Sequence, residues 1–272
     1  MVSAMPYIGS KFRLSSWIIE KFGKHNCYCE VFGGVMHVLL SKNPSQVEIF
    51  NDLDGDIVNL WRQIKNNHTE FAEALNKFPY SRQVFNEISN RWFDNDRGKD
   101  NLERAVMFWY IGMGSFAGKM QEKSGWKHSI EKNEAQRYYN RIKSFEGFCK
   151  RLQNVQIENR DFRKIINDYD SYQTLFYCDP PYVGTEDYYA NDFNLQDHED
   201  LAEKLRKIKG KFVLSYYDHP KVYELYPTDE FTYYKKTSTK NAYITKEQGM
   251  RSRIKCIELL ITNNQSNLKK FL

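Results

Sequence analysis

The sequence predicts an α/β protein, an open and mostly parallel sheet interrupted by a mainly helical insertion. Three observations carry this. Residues 175–178 and 211–215 read as short strands buried on both faces, the pattern of a parallel sheet. Residues 29–32 read as a strand that breaks at Gly33-Gly34 and leads into an apolar helix over 35–40. From residue 57 to about 150, apolar side chains recur at helical spacing, and no strand-like segment intervenes until Val155. The expected organisation is one α/β domain in two pieces, 1–60 and 151–272, with residues 61–150 inserted as a helical domain.

Composition fits one such unit. The chain has 272 residues, with 41% hydrophobic and 28% charged, as in ordinary globular proteins. No apolar run approaches the roughly 20 residues that span a bilayer, and the N-terminus lacks the basic and apolar blocks of a signal peptide. The five cysteines, at 27, 29, 149, 178 and 256, are odd in number and lack paired metal spacing. A reduced, cytoplasmic protein without a metal is expected. The net charge is +5, and its location says more. Residues 61–150 hold 16 Lys/Arg against 11 Asp/Glu, while the rest holds 24 of each, so the whole excess falls on the insertion. With 19 Tyr and 18 Phe, that charge suits contact with stacked bases and phosphates.

In order along the chain, residues 5–14 are expected to begin extended and to enter a helix at Gly9-Ser10, with Ser10 as cap. Lys11 then falls in the first helical turn, where a cation opposes the helix dipole, as either a residue kept for a ligand's carboxylate or a plain solvated lysine would. The Gly33-Gly34 turn lets a ligand approach backbone N–H groups, though two glycines are short of a full dinucleotide fingerprint. Residues 46–50 form the next strand, ending at Asn51-Asp52. An acid about 20 positions after a glycine turn, at a strand end, is placed to grip ribose hydroxyls. Within the insertion, residues 112–127 are rich in glycine and lysine and are expected to form a flexible loop whose Lys119, Lys123 and Lys127 contact phosphates. A strand over 155–158 ends at Asn159-Arg160-Asp161-Phe162, where Asp161 could accept from an adenine amine and Phe162 could lie on its face; a helix cap and a core aromatic would look the same. Strands over 230–234 and 257–262 complete the sheet, and residues 235–255, with seven Lys/Arg and one acid, are expected to be a phosphate-binding loop that includes Lys240, Arg251 and Arg253.

The centre of the chain is residues 179–182, Asp-Pro-Pro-Tyr, directly after the buried strand at 175–178. Two prolines cannot donate to a ladder and push their predecessors extended, so Asp179 stands where strand gives way to a stiff loop. Strand carboxyl ends are where open α/β sheets bind ligands. Asp179, the Pro180 carbonyl and the Tyr182 ring offer two acceptors and a stacking face, which match an exocyclic amine on a planar base. A rigid turn would use the same residues.

Taken together, Pro-Tyr-x-Gly-Ser-Lys, Phe-Gly-Gly, Asn-Asp, a helical insertion, Asn-x-Asp-Phe and Asp-Pro-Pro-Tyr resemble the Dam-like (D12 class, α-group) DNA adenine-N6 methyltransferases over nearly the whole chain. The resemblance implies a Rossmann-like S-adenosylmethionine-dependent methyltransferase fold with a helical target-recognition insert. It implies S-adenosylmethionine held by Tyr7, Lys11, Phe32, Gly33, Gly34, Asp52, Asp161, Phe162 and Asp179, with Lys11 near its carboxylate. It further implies a flipped-out adenine of double-stranded DNA held by Asp179, Pro180, Pro181 and Tyr182. A monomer is expected, in a restriction–modification or prophage setting where a restriction endonuclease would be a partner in the cell. Ser10 replaces a usual second glycine, and the insert shows Gly-Met-Gly-Ser-Phe-Ala-Gly-Lys in place of the Asn-Arg-x-Gly-Phe-Asn-Gly string of many GATC-specific members. Rival readings are methylation of cytosine N4 or of an RNA or protein amide, and a catalytically silent DNA-binding module. A nicotinamide dehydrogenase is disfavoured by the missing third glycine.

Overall fold

A computed structural model describes residues 3–118, 120, 122–184, 193–240 and 254–263. The chain order is α1 (Ser15–Ile19), β1 (Cys27–Glu30), α2 (His37–Ser41), β2 (Val47–Asn51), α3 (Gly55–Asn66), α4 (His68–Asn76), α5 (Arg82–Phe93), α6 (Asn101–Gly114), a 3-10 turn (Phe116–Gly118), α7 (Glu134–Lys143) and α8 (Phe145–Leu152). It continues with β3 (Val155–Glu158), α9 (Phe162–Tyr169), β4 (Thr174–Cys178), α10 (Leu195–Lys207), β5 (Lys211–Tyr217), α11 (Pro220–Leu225), β6 (Phe231–Lys240) and β7 (Ile254–Asn263).

The seven strands form one sheet in the order β3-β2-β1-β4-β5-β7-β6. The first five are parallel, and β7 runs antiparallel between β5 and β6. Order runs outward in both directions from the β1–β4 pair, so the topological switch lies between them, with Glu30 opposite Tyr177. Strand β4 is buried along its whole length, which is why its sequence shows no polar alternation. Two apolar clusters cover the faces. One joins Tyr28, Phe50 and Leu175 of the sheet to Trp61, Phe71, Trp109 and Phe145 of the helices. The other joins Cys29, Phe176 and Leu214 to Ile165, Leu201 and Val222. This is the Rossmann-like α/β architecture expected. The expected boundaries at 60/61 and 150/151 fall inside α3 and α8, and these helices share the first cluster with the sheet.

Three local expectations differ from the structure. Residues 7–14 turn rather than coil into a helix, and α1 begins only at Ser15, so Lys11 is not in a helical first turn. Ser10 instead hydrogen-bonds the His37 ring at 2.8 Å. The expected loop at 112–127 begins as helix: Gly112, Met113 and Gly114 end α6 and are buried. The smallness of the two glycines serves packing, because a Cβ at Gly112 would lie 2.7 Å from the Met5 side chain and one at Gly114 2.5 Å from Phe85. The basic stretch at 235–255 is strand at both ends, since β6 extends to Lys240 and β7 begins at Ile254.

Candidate active site

The carboxyl ends of β1, β2 and β4 open onto a cleft lined from the N-terminal segment, the β1 and β2 ends and the start of α9. All nine residues expected to hold a cofactor line it: Tyr7, Lys11, Phe32, Gly33, Gly34, Asp52, Asp161, Phe162 and Asp179. A switch point in an open α/β sheet is where such a cleft should form.

Its floor is set by the glycine turn. The Gly33 N–H donates to the Asn51 carbonyl at 2.8 Å, drawing the ends of β1 and β2 together. Gly34 takes a left-handed φ of 49°, and its N–H donates to Asp52 Oδ2 at 2.7 Å. The Gly34 carbonyl accepts from Trp61 Nε1 at 2.9 Å, so α3 braces the turn. Burial pushes the Asp52 carboxyl up to about 6, against the backbone N–H groups of Asp54 and Gly34, which favour its charged form. The Asn51 side chain stitches the strand ends, donating to the Val31 and Arg160 carbonyls at 2.9 and 3.0 Å.

At the other end Asp161 caps α9 by accepting from the Arg163 N–H at 2.8 Å, and its second oxygen pairs with the Arg163 guanidinium at 2.9 Å. The helix-cap reading of Asp161 is therefore realised, in a residue that also lines the cleft. Phe162 is buried, with its ring 5.5 Å from Phe32 and 5.9 Å from Phe193, forming an aromatic wall.

At the end of β4 a carboxylate meets both a cation and a hydroxyl. Asp179 Oδ1 pairs with Lys11 Nζ at 2.9 Å and accepts from the Tyr182 hydroxyl at 3.0 Å. Among the described residues, neither Asp179 Oδ2 nor the Pro180 carbonyl accepts a hydrogen bond. Burial pushes the Asp179 carboxyl up to about 6, and the Lys11 ammonium opposes the rise. Two expectations change here. Lys11 lines the cleft, but its ammonium is committed to Asp179 and lies 3.6 Å from Glu258. Tyr182 does not offer an open stacking face. Its side chain is buried, Tyr217 packs edge-on at 4.4 Å, and Lys11 sits over the ring at 4.7 Å. The cause is its hydroxyl, which reaches inward to Asp179 and, at 2.5 Å, to Glu258. Pro181 lines the cleft, and Pro180 and Tyr182 are buried on either side of it in sequence.

Several lining residues carried no sequence signal. Glu30 ends β1 with Oε2 accepting from the Tyr28 hydroxyl at 2.7 Å, and burial pushes its carboxyl up to about 8. His37 is pushed down to about 4 by burial and by Arg141 and Lys11, and its Nε2 has no partner among the described residues. Of the expected phosphate contacts, Lys123 is exposed, while Lys127 pairs with Glu134 at 3.0 Å. Lys240 is the last residue of β6, and Lys119, Arg251 and Arg253 lie outside the described residues. Among the described residues no helix is long and apolar enough to cross a membrane.

The family model of D12 class N6 adenine-specific DNA methyltransferases matches residues 7–263. The Type II methyltransferase M1.LlaDCHI of Lactococcus lactis subsp. cremoris is 26% identical over 262 residues, covering 88% of this chain and 87% of its own. The Type II methyltransferase M.MjaIII of Methanocaldococcus jannaschii is 22% identical over 230 residues, covering 75% and 79%. A solved rRNA methyltransferase, aviRa of Streptomyces viridochromogenes, aligns over 97% of this chain and 88% of that one at 11% identity, with a TM-score of 0.38 too low to add weight. The chain belongs to the D12 class N6 adenine-specific DNA methyltransferases.

Proposed function

We propose that the protein transfers a methyl group from S-adenosylmethionine to N6 of an adenine swung out of a specific double-stranded DNA sequence. The observation that carries this is Asp179, one oxygen anchored by Lys11 and Tyr182 and the other, like the carbonyl of the next residue Pro180, accepting no hydrogen bond among the described residues. Two acceptors at the mouth of a strand match the two N–H donors of an exocyclic amine.

The cleft suits the cofactor by its donor set. Asp52 can accept from ribose hydroxyls, Asp161 from an adenine amine, and Phe32, Phe162 and Phe193 supply an apolar wall. When bound, S-adenosylmethionine supplies an electrophilic methyl on a sulfonium. Asp179 and the Pro180 carbonyl draw the N6 hydrogens toward themselves, so the nitrogen lone pair leaves conjugation and points along the line of transfer. Transfer to that nitrogen would exchange the sulfonium's S–C bond for an N–C bond, the amine giving up one of its two protons. Positioning and electrostatics dominate such a displacement. Extruding the base costs a few kcal/mol. Lys119, Lys123, Lys240, Arg251 and Arg253 are proposed phosphate contacts, and the helical segment between β2 and β3 is proposed to read the target.

Asp179→Ala tests this reading. Lys11 keeps Glu258 as its counter-charge at 3.6 Å, so the variant should fold, and its cofactor binding is measured separately from transfer. Methyl transfer should fall by roughly 100-fold or more, the scale seen when a positioned polar group is lost from a transition state. A wild-type rate removes Asp179 from the mechanism.

A further inference from the structure

Glu258 lies in no motif and does not line the cleft, yet it is 2% exposed and touches the site's chemistry from behind. It sits on β7 opposite Tyr217 of β5 and Lys236 of β6, with Leu259, Leu260 and Ile261 following it into the core. A carboxylate is costly in such a place unless it is paired. Its partners come from two distant segments: the Tyr182 hydroxyl at 2.5 Å and Lys11 Nζ at 3.6 Å. Both also engage Asp179 Oδ1, at 3.0 and 2.9 Å. One ammonium and one hydroxyl are thus shared between two carboxylates.

Resting on the role of Asp179 set out above, we propose that Glu258 is a positioning residue for methyl transfer. It holds Lys11 and Tyr182 where they anchor Oδ1 of Asp179, leaves Oδ2 for the amine, and by its charge keeps Lys11 from neutralising Asp179 outright. Without that charge Lys11 would pair with Asp179 alone, and the acceptor would weaken. Among the described residues, the ionisable groups that act on Asp179 or feel it include Lys11 from the N-terminal segment, Glu30 from β1, Tyr177 and Cys178 from β4, Tyr182 from the loop and Glu258 from β7. Of these, Lys11 favours the charged form and Glu258 opposes it.

The experiment compares full-length wild type, Glu258→Gln and Glu258→Asp. It measures single-turnover transfer of labelled methyl to adenine-methylation-free genomic DNA across pH, and calorimetric binding of S-adenosylmethionine. Glu258→Gln should bind cofactor within about threefold of wild type yet transfer methyl roughly 10- to 100-fold more slowly, as loss of a charge-assisted contact felt in the reacting state requires. The acid limb of its pH–rate profile should move to lower pH, since a carboxylate that raised the Asp179 pKa is gone. Glu258→Asp keeps the charge and should keep the limb in place. An unchanged rate and limb in Glu258→Gln, or a loss wholly explained by weaker cofactor binding, overturns the proposal. If Glu258→Gln does not fold, a displaced limb in Glu258→Asp overturns it. A wild type that methylates no adenine overturns the functional reading itself, whereas an active wild type with indifferent Glu258 variants overturns this inference alone.

Discussion

Replacing Gly33 by alanine puts a methyl group where the structure has a ring. The added Cβ would lie 2.0 Å from Phe50 Cε2 and 2.3 Å from Cδ2, when ordinary contact begins at 3.4 Å, so something must move by about 1.4 Å. Phe50 cannot readily give way, because it is fully buried in β2 and packs edge-on against Trp61, their ring centres 6.5 Å apart. The turn must yield instead. That strains the hydrogen bonds from Gly33 N–H to Asn51 and from Gly34 N–H to Asp52, the latter being 2.7 Å long. Overpacking of this kind costs about 1–3 kcal/mol, and each kcal/mol lowers Tm by about 2–4 °C in chains of this size. Misplacing Asp52 should also weaken S-adenosylmethionine binding by roughly tenfold or more, the loss of one charge-assisted hydrogen bond. Gly34→Ala is the control. Its Cβ would meet only Tyr7 at 3.7 Å, so it carries just the left-handed backbone penalty at φ 49°, about 1 kcal/mol. Thermal unfolding and calorimetric titration should rank Gly33→Ala well below Gly34→Ala in both stability and affinity. A Gly33→Ala variant equal to wild type, or milder than Gly34→Ala, would refute the packing account of the turn.

Two further predictions concern pH. The Glu30 carboxyl is held up near 8 against a usual 4.5, so the native state keeps a proton that the unfolded chain releases; stability should decline as pH rises through that window, by up to about 1.4 kcal/mol per pH unit, and Glu30→Gln should flatten the slope in denaturant titrations. His37 has the opposite sign: it is held down near 4 against 6.5, so its contribution is present above 6.5 and lost as pH falls toward 4, and His37→Gln should show a shallower acid limb of unfolding.

Much of this site was legible because its residues sit at strand ends next to breaks that only a few residue types can make. Pro180 and Pro181 mark the end of β4, Gly33 and Gly34 the end of β1, and Asp52 and Asp161 directly follow β2 and β3 by one and three positions. What was not legible depends on who comes to meet those residues. Glu258 sits in a strand with apolar neighbours on both sides, where a lone acid reads as solvent-facing, and only the sheet order brings it to Tyr182 and Lys11. Tyr182 looked like a stacking ring because sequence does not record which way a hydroxyl must reach. Gly112 and Gly114 looked like loop because glycine disfavours helix, yet contact with Met5 and Phe85 outweighs that cost. The strand at 231–240 runs further than expected because lysine and threonine on this edge strand resemble a solvated loop.

The most direct measurement is the identity of the modified nucleoside. The full-length protein is incubated with methyl-labelled S-adenosylmethionine and unmethylated double-stranded DNA, which is then digested to nucleosides and weighed by mass spectrometry. Label confined to N6-methyladenosine of the deoxy series is the predicted result. Label in N4-methylcytosine, or none in any nucleoside from a protein that binds the cofactor, would contradict the account.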